Sequence, residues 1–396
     1  MLTNPLMSFI MTGVERFTQM AKDGQKRPSP VLGFIKRNPV MTIAFTAACV
    51  TAFIVPPDKQ YLGYIDLRTI TCLFCVLGIV GALRNIRFFS MLARSIVRRF
   101  KNARLCTLAL VYITFIGSML IANDMALLTF LPLGYFVLSS AHKEKRMAFT
   151  FVMQNIAANL GGMLTPFGNP QNLYLYSKFG IPTGEFMGIM APPFLVAITL
   201  ITVCCLFVPA EPMEVEGEPI RLDKKKTAVY LAAFVYSIAI VFRGVPYWTG
   251  LIVIPLVLII FDRRALLSVD YSLLLTFVFF FIFAGNMARI PAVSGFFSGL
   301  LNRDTLIVSS LSCQVISNVP SAILLSQFTS DYPALLVGVN IGGTGTLIAS
   351  LASLITFSEY SFHNPGKKGY YLGVFSAFNF GFLAVLLLFM KLVMRY

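Results

Sequence analysis

Charge is scarce in this sequence. Only 12% of its 396 residues are charged, while 57% are hydrophobic and the mean hydropathy is +0.77. An ordinary soluble domain carries roughly 25% charged residues, so this composition excludes a soluble globular chain and points to a polytopic membrane protein. Histidine is scarcer still. The only two, His142 and His363, fall in predicted loops, which leaves no histidine-based metal set and no base beside a nucleophile. The chain therefore reads as something other than an enzyme. Acidic residues number 17 against 32 Lys and Arg, for a net charge of +15. The basic residues lie between apolar runs and not along one face, which argues for a topological signal and against a nucleic-acid surface. The seven cysteines (Cys49, Cys72, Cys75, Cys106, Cys204, Cys205, Cys313) all fall in or beside apolar runs. Cys72 and Cys75 form a C-x-x-C that no second pair or nearby histidine completes as a zinc set, and buried Cys ordinarily behaves as a small hydrophobe.

What the chain has in abundance is membrane-length apolar sequence. A bilayer core about 30 Å thick needs roughly 20 apolar residues per helix, and runs of that order recur from residue 39 onward. Residues 1–38 lack an apolar core followed by a small-residue cleavage site and are expected to be a cytoplasmic tail. A first transmembrane repeat, 39–208, contains spans at 39–55 and 68–83. In 84–104 seven basic residues alternate with apolar ones, as in a helix lying flat at the interface. A hairpin at about 105–139 turning at Asn123, an interrupted helix at about 148–176 and a span at 186–208 complete this repeat. A cytoplasmic linker, 209–226, leads to the second repeat, 227–396. Its spans lie at 227–242, 246–261 and 271–288, followed by a hairpin at about 304–329, an interrupted helix at about 333–357 and a final span at 369–392. Asp66 and Asp270 precede equivalent spans as N-caps.

With the N-terminus cytoplasmic, 24 of the 32 Lys and Arg face the cytoplasm, as the positive-inside rule expects. That topology has nine crossings and two hairpins entering from opposite sides. The predicted fold class is an all-α polytopic membrane protein made of two inverted repeats, each with a re-entrant hairpin and an interrupted transmembrane helix.

The interruptions carry the chemistry. Residues 159–172, NLGGMLTPFGNPQN, hold three Gly, two Pro and three Asn inside an apolar run; Pro166 and Pro170 lack the N–H a continuous helix needs. Broken backbone at bilayer depth is tolerated only where protein buries it or where it lines a polar cavity. Residues 340–353, NIGGTGTLIASLAS, align with that stretch without gaps, pairing Asn159, Gly161, Gly162 and Thr165 with Asn340, Gly342, Gly343 and Thr346. Upstream of each break stands a polar tip, IAND at 121–124 and ISNVP at 316–320. Half-helix N-termini suit anions, and unwound carbonyls with Asn, Ser and Thr oxygens suit a small cation. Asn123, Thr165, Gly168, Asn169 and Asn172 form the expected first binding set, with Na⁺ at Asn123, Gly168 and Asn169. Ser317, Asn318, Gly343, Thr344, Gly345 and Thr346 form the second, with Na⁺ at Asn318, Gly343 and Thr346. Asp124, an acid at bilayer depth where Val319 stands in the other half, is expected to face a cavity and couple protons or cations. Gln154 and Asn155, just before the first break, line the path or pair with neighbouring helices.

AND at a hairpin tip, GNPQN in a broken helix, SNVP in the second hairpin and the inverted duplication together resemble the ion transporter superfamily. That group includes divalent-anion/sodium symporters, citrate transporters, arsenical pump membrane proteins and one class of sodium/proton antiporters. The resemblance covers roughly residues 39–392. It implies a scaffold and a mobile transport domain working as an elevator, commonly in a homodimer, with Asn123 and Asn318 at the positions of the hairpin Asn residues. The dicarboxylate branch shows Ser-Asn-Thr at both tips; Ala-Asn-Asp here looks closer to the arsenical-pump and citrate branches. The expected function is transport of a small anion, citrate-like or an oxyanion, coupled to Na⁺ or H⁺ across the plasma (bacterial inner) membrane. A sodium/proton antiporter using Asp124 is the alternative.

Overall fold

A computed structural model describes residues 38–97, 99–213, 222–267 and 269–394; the expected tail and the middle of the linker lie outside these. The described chain is helical. Its only extended pairing is a bridge between Asn102 and Pro212. The first half contributes α1 (Pro39–Ile54), α2 (Leu67–Asn85), α3 (Phe88–Val97), α4 (Ala103–Ile121), α5 (Asn123–Ser140), α6 (Met147–Gly161), α7 (Pro170–Lys178) and α8 (Thr183–Leu206). The second contributes α9 (Lys224–Val241), α10 (Tyr247–Phe261), α11 (Tyr271–Ala288), α12 (Pro291–Ile316), α13 (Asn318–Leu325), α14 (Tyr332–Ile341), α15 (Leu351–His363) and α16 (Lys368–Met394).

Helix starts follow the polar residues in the sequence. Asp66 accepts from Thr69 N at the head of α2 and Asp270 from Leu273 N at the head of α11, so both expected N-caps are present. Asn102, Asp223 and Asp331 cap α4, α9 and α14 in the same way. Spans such as α2, α4, α8 and α16 are long and apolar enough to cross a membrane, and their outer faces expose large apolar side chains. Leu388 is 68% exposed and Leu195 60%, as expected of surface that meets lipid. The protein is an integral, multi-pass membrane protein.

The helices pack into two groups, each drawn from both halves. In one, α1 lies along α11, and α2 packs on α9 and α10. Close approach there rests on small residues: a Cβ at Gly250 would stand 2.6 Å from Cys75 Sγ. In the other, α4 and α5 fold back on each other and embrace α6, while α12, α13 and α14 form the corresponding cluster, with α8, α15 and α16 packed alongside. A Cβ at Gly117 would meet the Phe130 ring, and Ser312 Oγ lies 2.9 Å from Ser321 Oγ, so both pairs, α4–α5 and α12–α13, are antiparallel hairpins. The groups meet where α7 touches α2 and where α11 touches α12 and α13.

Asp304 is extended inside α12 (φ −167°, ψ 91°), so the segment before it is a separate helix and the hairpin arm begins there, where the sequence placed its start. One detail differs from the expectation. In α3 the face of Phe89, Ala93 and Val97 is buried against protein, so this basic helix offers lipid only part of its apolar surface.

Candidate functional site

Both breaks are built as half-helix, loop, half-helix. In the first, α6 stops at Gly161, a short 3-10 turn covers Gly162–Leu164, and α7 opens with Pro170. At that first position a missing N–H costs nothing. The carbonyls released by the break are taken up by Asn172, whose Nδ2 donates to Gly162 O and Met163 O at 3.2 Å and to Thr165 O at 3.4 Å. Gly168 permits the fold: a Cβ there would lie 2.4 Å from Gly162 O. In the second break, Gln314 reaches in from the hairpin. Its Nε2 donates to Gly342 O at 2.8 Å and Thr344 O at 3.0 Å, and its Oε1 accepts from Thr346 N at 2.8 Å. Gly345 passes through φ +114°, where a side chain would also strike Gln314 Oε1.

The matched threonines do matched work. Thr165 Oγ1 donates to Met119 O at 2.8 Å and Thr346 Oγ1 to Gln314 O at 3.0 Å. Met119 and Gln314 each stand four residues before a tip asparagine, so each break is pinned to its own hairpin at the same place. Thr344 Oγ1 donates to Ile341 O at 2.6 Å. Of the expected binding residues, Thr165, Asn172, Thr344 and Thr346 thus spend their donors on shaping the breaks, and Gly168 and Gly345 supply close approach.

Asn159 gathers the centre. Its Oδ1 accepts from Asn123 Nδ2 at 3.2 Å and from Ser350 Oγ at 2.7 Å, and its carbonyl accepts from Asn169 Nδ2 at 3.2 Å. Asn340, its counterpart, accepts from Asn169 Nδ2 at 3.1 Å and donates to Asn172 Oδ1 at 2.6 Å. A Cβ at Gly343 would stand 3.2 Å from Asn318 Nδ2 and 3.7 Å from Asn159 Oδ1, which brings the second tip to the same spot. The N-terminal ends of four helices, α5, α7, α13 and α15, therefore converge within one amide network, and each brings the positive end of its dipole. Gln154 and Asn155 pair with neighbouring helices: Gln154 Nε2 donates to Thr114 Oγ1 at 3.0 Å and Asn155 Nδ2 to Asn379 Oδ1 at 3.3 Å.

The two tips turn alike and bond differently. Ala122 (φ 64°) and Ser317 (φ 72°) occupy the same left-handed turn just before the asparagine. With ψ at 150° and 160°, this is a conformation nearly reserved for glycine, and a side chain there costs about 1–3 kcal/mol, which the surrounding packing must offset. At the second tip Ser317 Oγ and Asn318 N donate to Ala349 O at 3.3 and 3.0 Å, and Asn318 Oδ1 accepts from Val319 N at 2.9 Å. Ala122 has no hydroxyl to do the same. Asn123 Oδ1, Asp124 Oδ1, Asn169 Oδ1 and Gln171 Oε1 are buried without a hydrogen-bond partner among the described residues. These four acceptors all belong to the first tip and the first break. Oxygens of amides and a carboxylate are the donor set a hard monovalent cation takes.

Hairpin tips meeting glycine-rich helix breaks leave few kinds of protein to consider, and comparison with known sequences decides among them. The citrate transporter family profile matches residues 31–331. The chain belongs to that family. An uncharacterized transporter of Methanocaldococcus jannaschii is 33% identical over 300 residues, covering 74% of this chain and 80% of its own. The inner membrane protein YbiR of Escherichia coli is 30% identical over 312 residues, covering 77% and 83%. A silicon efflux transporter of Oryza sativa is 28% identical over 157 residues, 39% of this chain and 32% of its own. The family is one of membrane transporters, and this chain is a membrane transporter.

Residues outside the expected set are as central as those within it. Asn159 and Asn340 were visible as an aligned pair of asparagines, and Ser350 falls opposite Asn169 in the same alignment. Gln314 had no such signal, because its counterpart is Met119.

Proposed function

We propose that this family member is a secondary active transporter that moves a small anion, citrate-like or an oxyanion, coupled to Na⁺ or H⁺. The observation that carries this reading is the convergence of four helix N-termini on Asn159 and its neighbours. Helix N-termini stabilise an anion without a buried Lys or Arg, and a co-bound cation at the unpartnered oxygens of Asn123, Asp124 and Asn169 would complete the charge balance.

In this reading the α1, α2, α9, α10 and α11 group is the scaffold, and the group containing both hairpins and both breaks is the carrier that slides against it. The halves are inverted repeats and the hairpins enter from opposite faces. Contacts at the open ends support this: Glu211 ties to Lys143 and Arg146 at the base of the first hairpin, and Lys178 ties to Gln327 at the base of the second. We place the N-terminus in the cytoplasm on the basic-residue bias, the protein in the plasma (inner) membrane, by analogy with the E. coli inner membrane protein YbiR, and the working unit as a homodimer. Nothing in the reading calls for a cofactor or a nucleic acid.

The test is thermal stabilisation of purified protein by citrate, succinate, malate, arsenite, silicate, phosphate and sulfate, each with and without Na⁺. A ligand that binds the folded state raises its stability by mass action. Stabilisation by one anion that needs Na⁺ names substrate and coupling ion together. No response to any of them removes the reading. The unpartnered Asp124 Oδ1 favours one second reading, a sodium/proton antiporter, for which Na⁺ alone would stabilise in a pH-dependent way.

A further inference from the structure

A polar pocket of about 730 Å³ opens at one end of the scaffold, far in sequence from both breaks, and is lined by Asn85, Ile86, Lys226, Phe261, Asp262, Arg263 and Arg264. Three separate helices supply it: the C-terminal end of α2, the N-terminal turn of α9, and the segment just after α10. Its charges are not spent on one another. Asp262 Oδ2 accepts from Asn85 Nδ2 at 3.1 Å and its Oδ1 accepts from Ala265 N at 3.1 Å, so the one acid among the described lining residues is committed to holding the wall together. Asp223, the nearest acid on α9, is likewise committed, accepting from the backbone N–H groups of Lys225 and Lys226. The side chains of Lys226, Arg263 and Arg264 form no ion pair or hydrogen bond among the described residues. Among the described residues, the lining thus carries three uncommitted cations against one acid.

The position says what kind of anion fits. Ile86 and Phe261 add apolar surface to the lining, and directly after Ile86 the chain turns through Arg87 (φ 59°) into the amphipathic helix α3. The pocket therefore sits level with an element whose own pattern belongs to the membrane interface, with cations towards the headgroups and apolar contacts towards the acyl chains. We propose that this pocket binds the phosphate of an anionic phospholipid, Arg263, Arg264 and Lys226 engaging the phosphate oxygens while Ile86 and Phe261 meet the first acyl carbons. Arginine suits the role because its planar fork presents two parallel N–H groups to a phosphate. The site is independent of what the transporter carries.

The experiment measures the melting temperature of purified full-length protein in mixed micelles containing either phosphatidylglycerol or phosphatidylcholine, and separately with millimolar inorganic phosphate. The wild type should gain about 3 °C or more from phosphatidylglycerol alone. The triple variant Lys226→Gln, Arg263→Gln, Arg264→Gln should lose most of that gain. A charge-matched control, Lys101→Gln, Lys367→Gln, Lys368→Gln, should keep it. The three cations are exposed, so their removal strands no buried group and folding should survive. Native mass spectrometry of the single variant Arg263→Gln, counting retained phosphatidylglycerol, is the second readout, and fewer retained lipids are expected. Equal loss in the triple variant and the control would reduce the effect to surface charge and overturn the site. A wild-type gain from inorganic phosphate equal to that from the lipid would overturn the lipid as its ligand.

Discussion

Asn159 and Asn340 stand at matched positions of the two breaks, and each accepts from the residue that opens the other break's second helix. Ser350 Oγ donates to Asn159 Oδ1 at 2.7 Å, and Asn169 Nδ2 donates to Asn340 Oδ1 at 3.1 Å. The two interrupted helices are thus held by each other and not only by their own hairpins. Replacing Asn159 with Ala strands the buried donors of Ser350 and Asn123, at a cost of about 1–3 kcal/mol. Asn340→Ala should cost a similar amount. Because both belong to one network, the double variant should lose less than the sum of the singles, with a coupling of about 0.5–3 kcal/mol. Denaturation of the four proteins in matched detergent checks this, and strict additivity would mean that the breaks are independent.

Asn123 and Asn318 open α5 and α13 at the hairpin tips. Asn123→Ala and Asn318→Ala should each reduce uptake by at least ~10-fold, the loss of one good polar contact in a transported complex being worth roughly 1.4 kcal/mol or more. Both variants should still reach the membrane folded. Wild-type uptake rates in both would remove the tips from the site.

Asp124 offers an unpartnered buried oxygen beside the first tip, where the second half has Val319. Asp124→Asn keeps the shape and removes the ionisable group. Uptake measured from pH 5.5 to 8.5 at low and high Na⁺ should change its dependence on one of the two ions. An unchanged profile would leave Asp124 as an ordinary residue of the turn.

Glu211 joins the start of the linker to the base of the first hairpin. Its carboxylate accepts from Lys143 Nζ at 2.6 Å and Arg146 Nη2 at 2.5 Å, and the hydrogen bond from Lys143 leads in holding its pKa below the usual value near 4.5. A carboxyl depressed in the folded state contributes stability above its unfolded value, and that contribution disappears as the pH falls through the lower folded value. Glu211→Gln should therefore melt below wild type at pH 7, and the gap should close on acidification through pH 4.5 and below. A gap that stays constant with pH would show the pairing to be without effect. The three side chains are partly exposed to solvent, so added salt should shrink the gap as well.

Much of this architecture was legible in the residues. Hydrophobic run lengths placed the spans, Asp66 and Asp270 announced two helix starts, and the Gly, Pro and Asn of 159–172 marked a break because no intact helix tolerates them at that density. The division of labour inside the breaks was not legible. Asn172 and Thr165 look like ligands by type, yet the amide of Asn172 donates to carbonyls that the break itself releases and the hydroxyl of Thr165 to Met119 O in the first hairpin. Which oxygens remain open depends on where Gln314, Met119 and Ser317 lie across the fold, and no local pattern encodes that. The mixing of both halves in each helix group was hidden for the same reason, since it is set by long-range packing.

The most direct test is gradient-driven uptake in proteoliposomes, using the labelled anion that most stabilises the purified protein. With an imposed Na⁺ or pH gradient the anion should accumulate above its outside concentration, collapse back when an ionophore dissipates the gradient, and fail to accumulate in Asn123→Ala and Asn318→Ala. Flux that only equilibrates the anion, at a rate indifferent to both gradients, would contradict a coupled carrier.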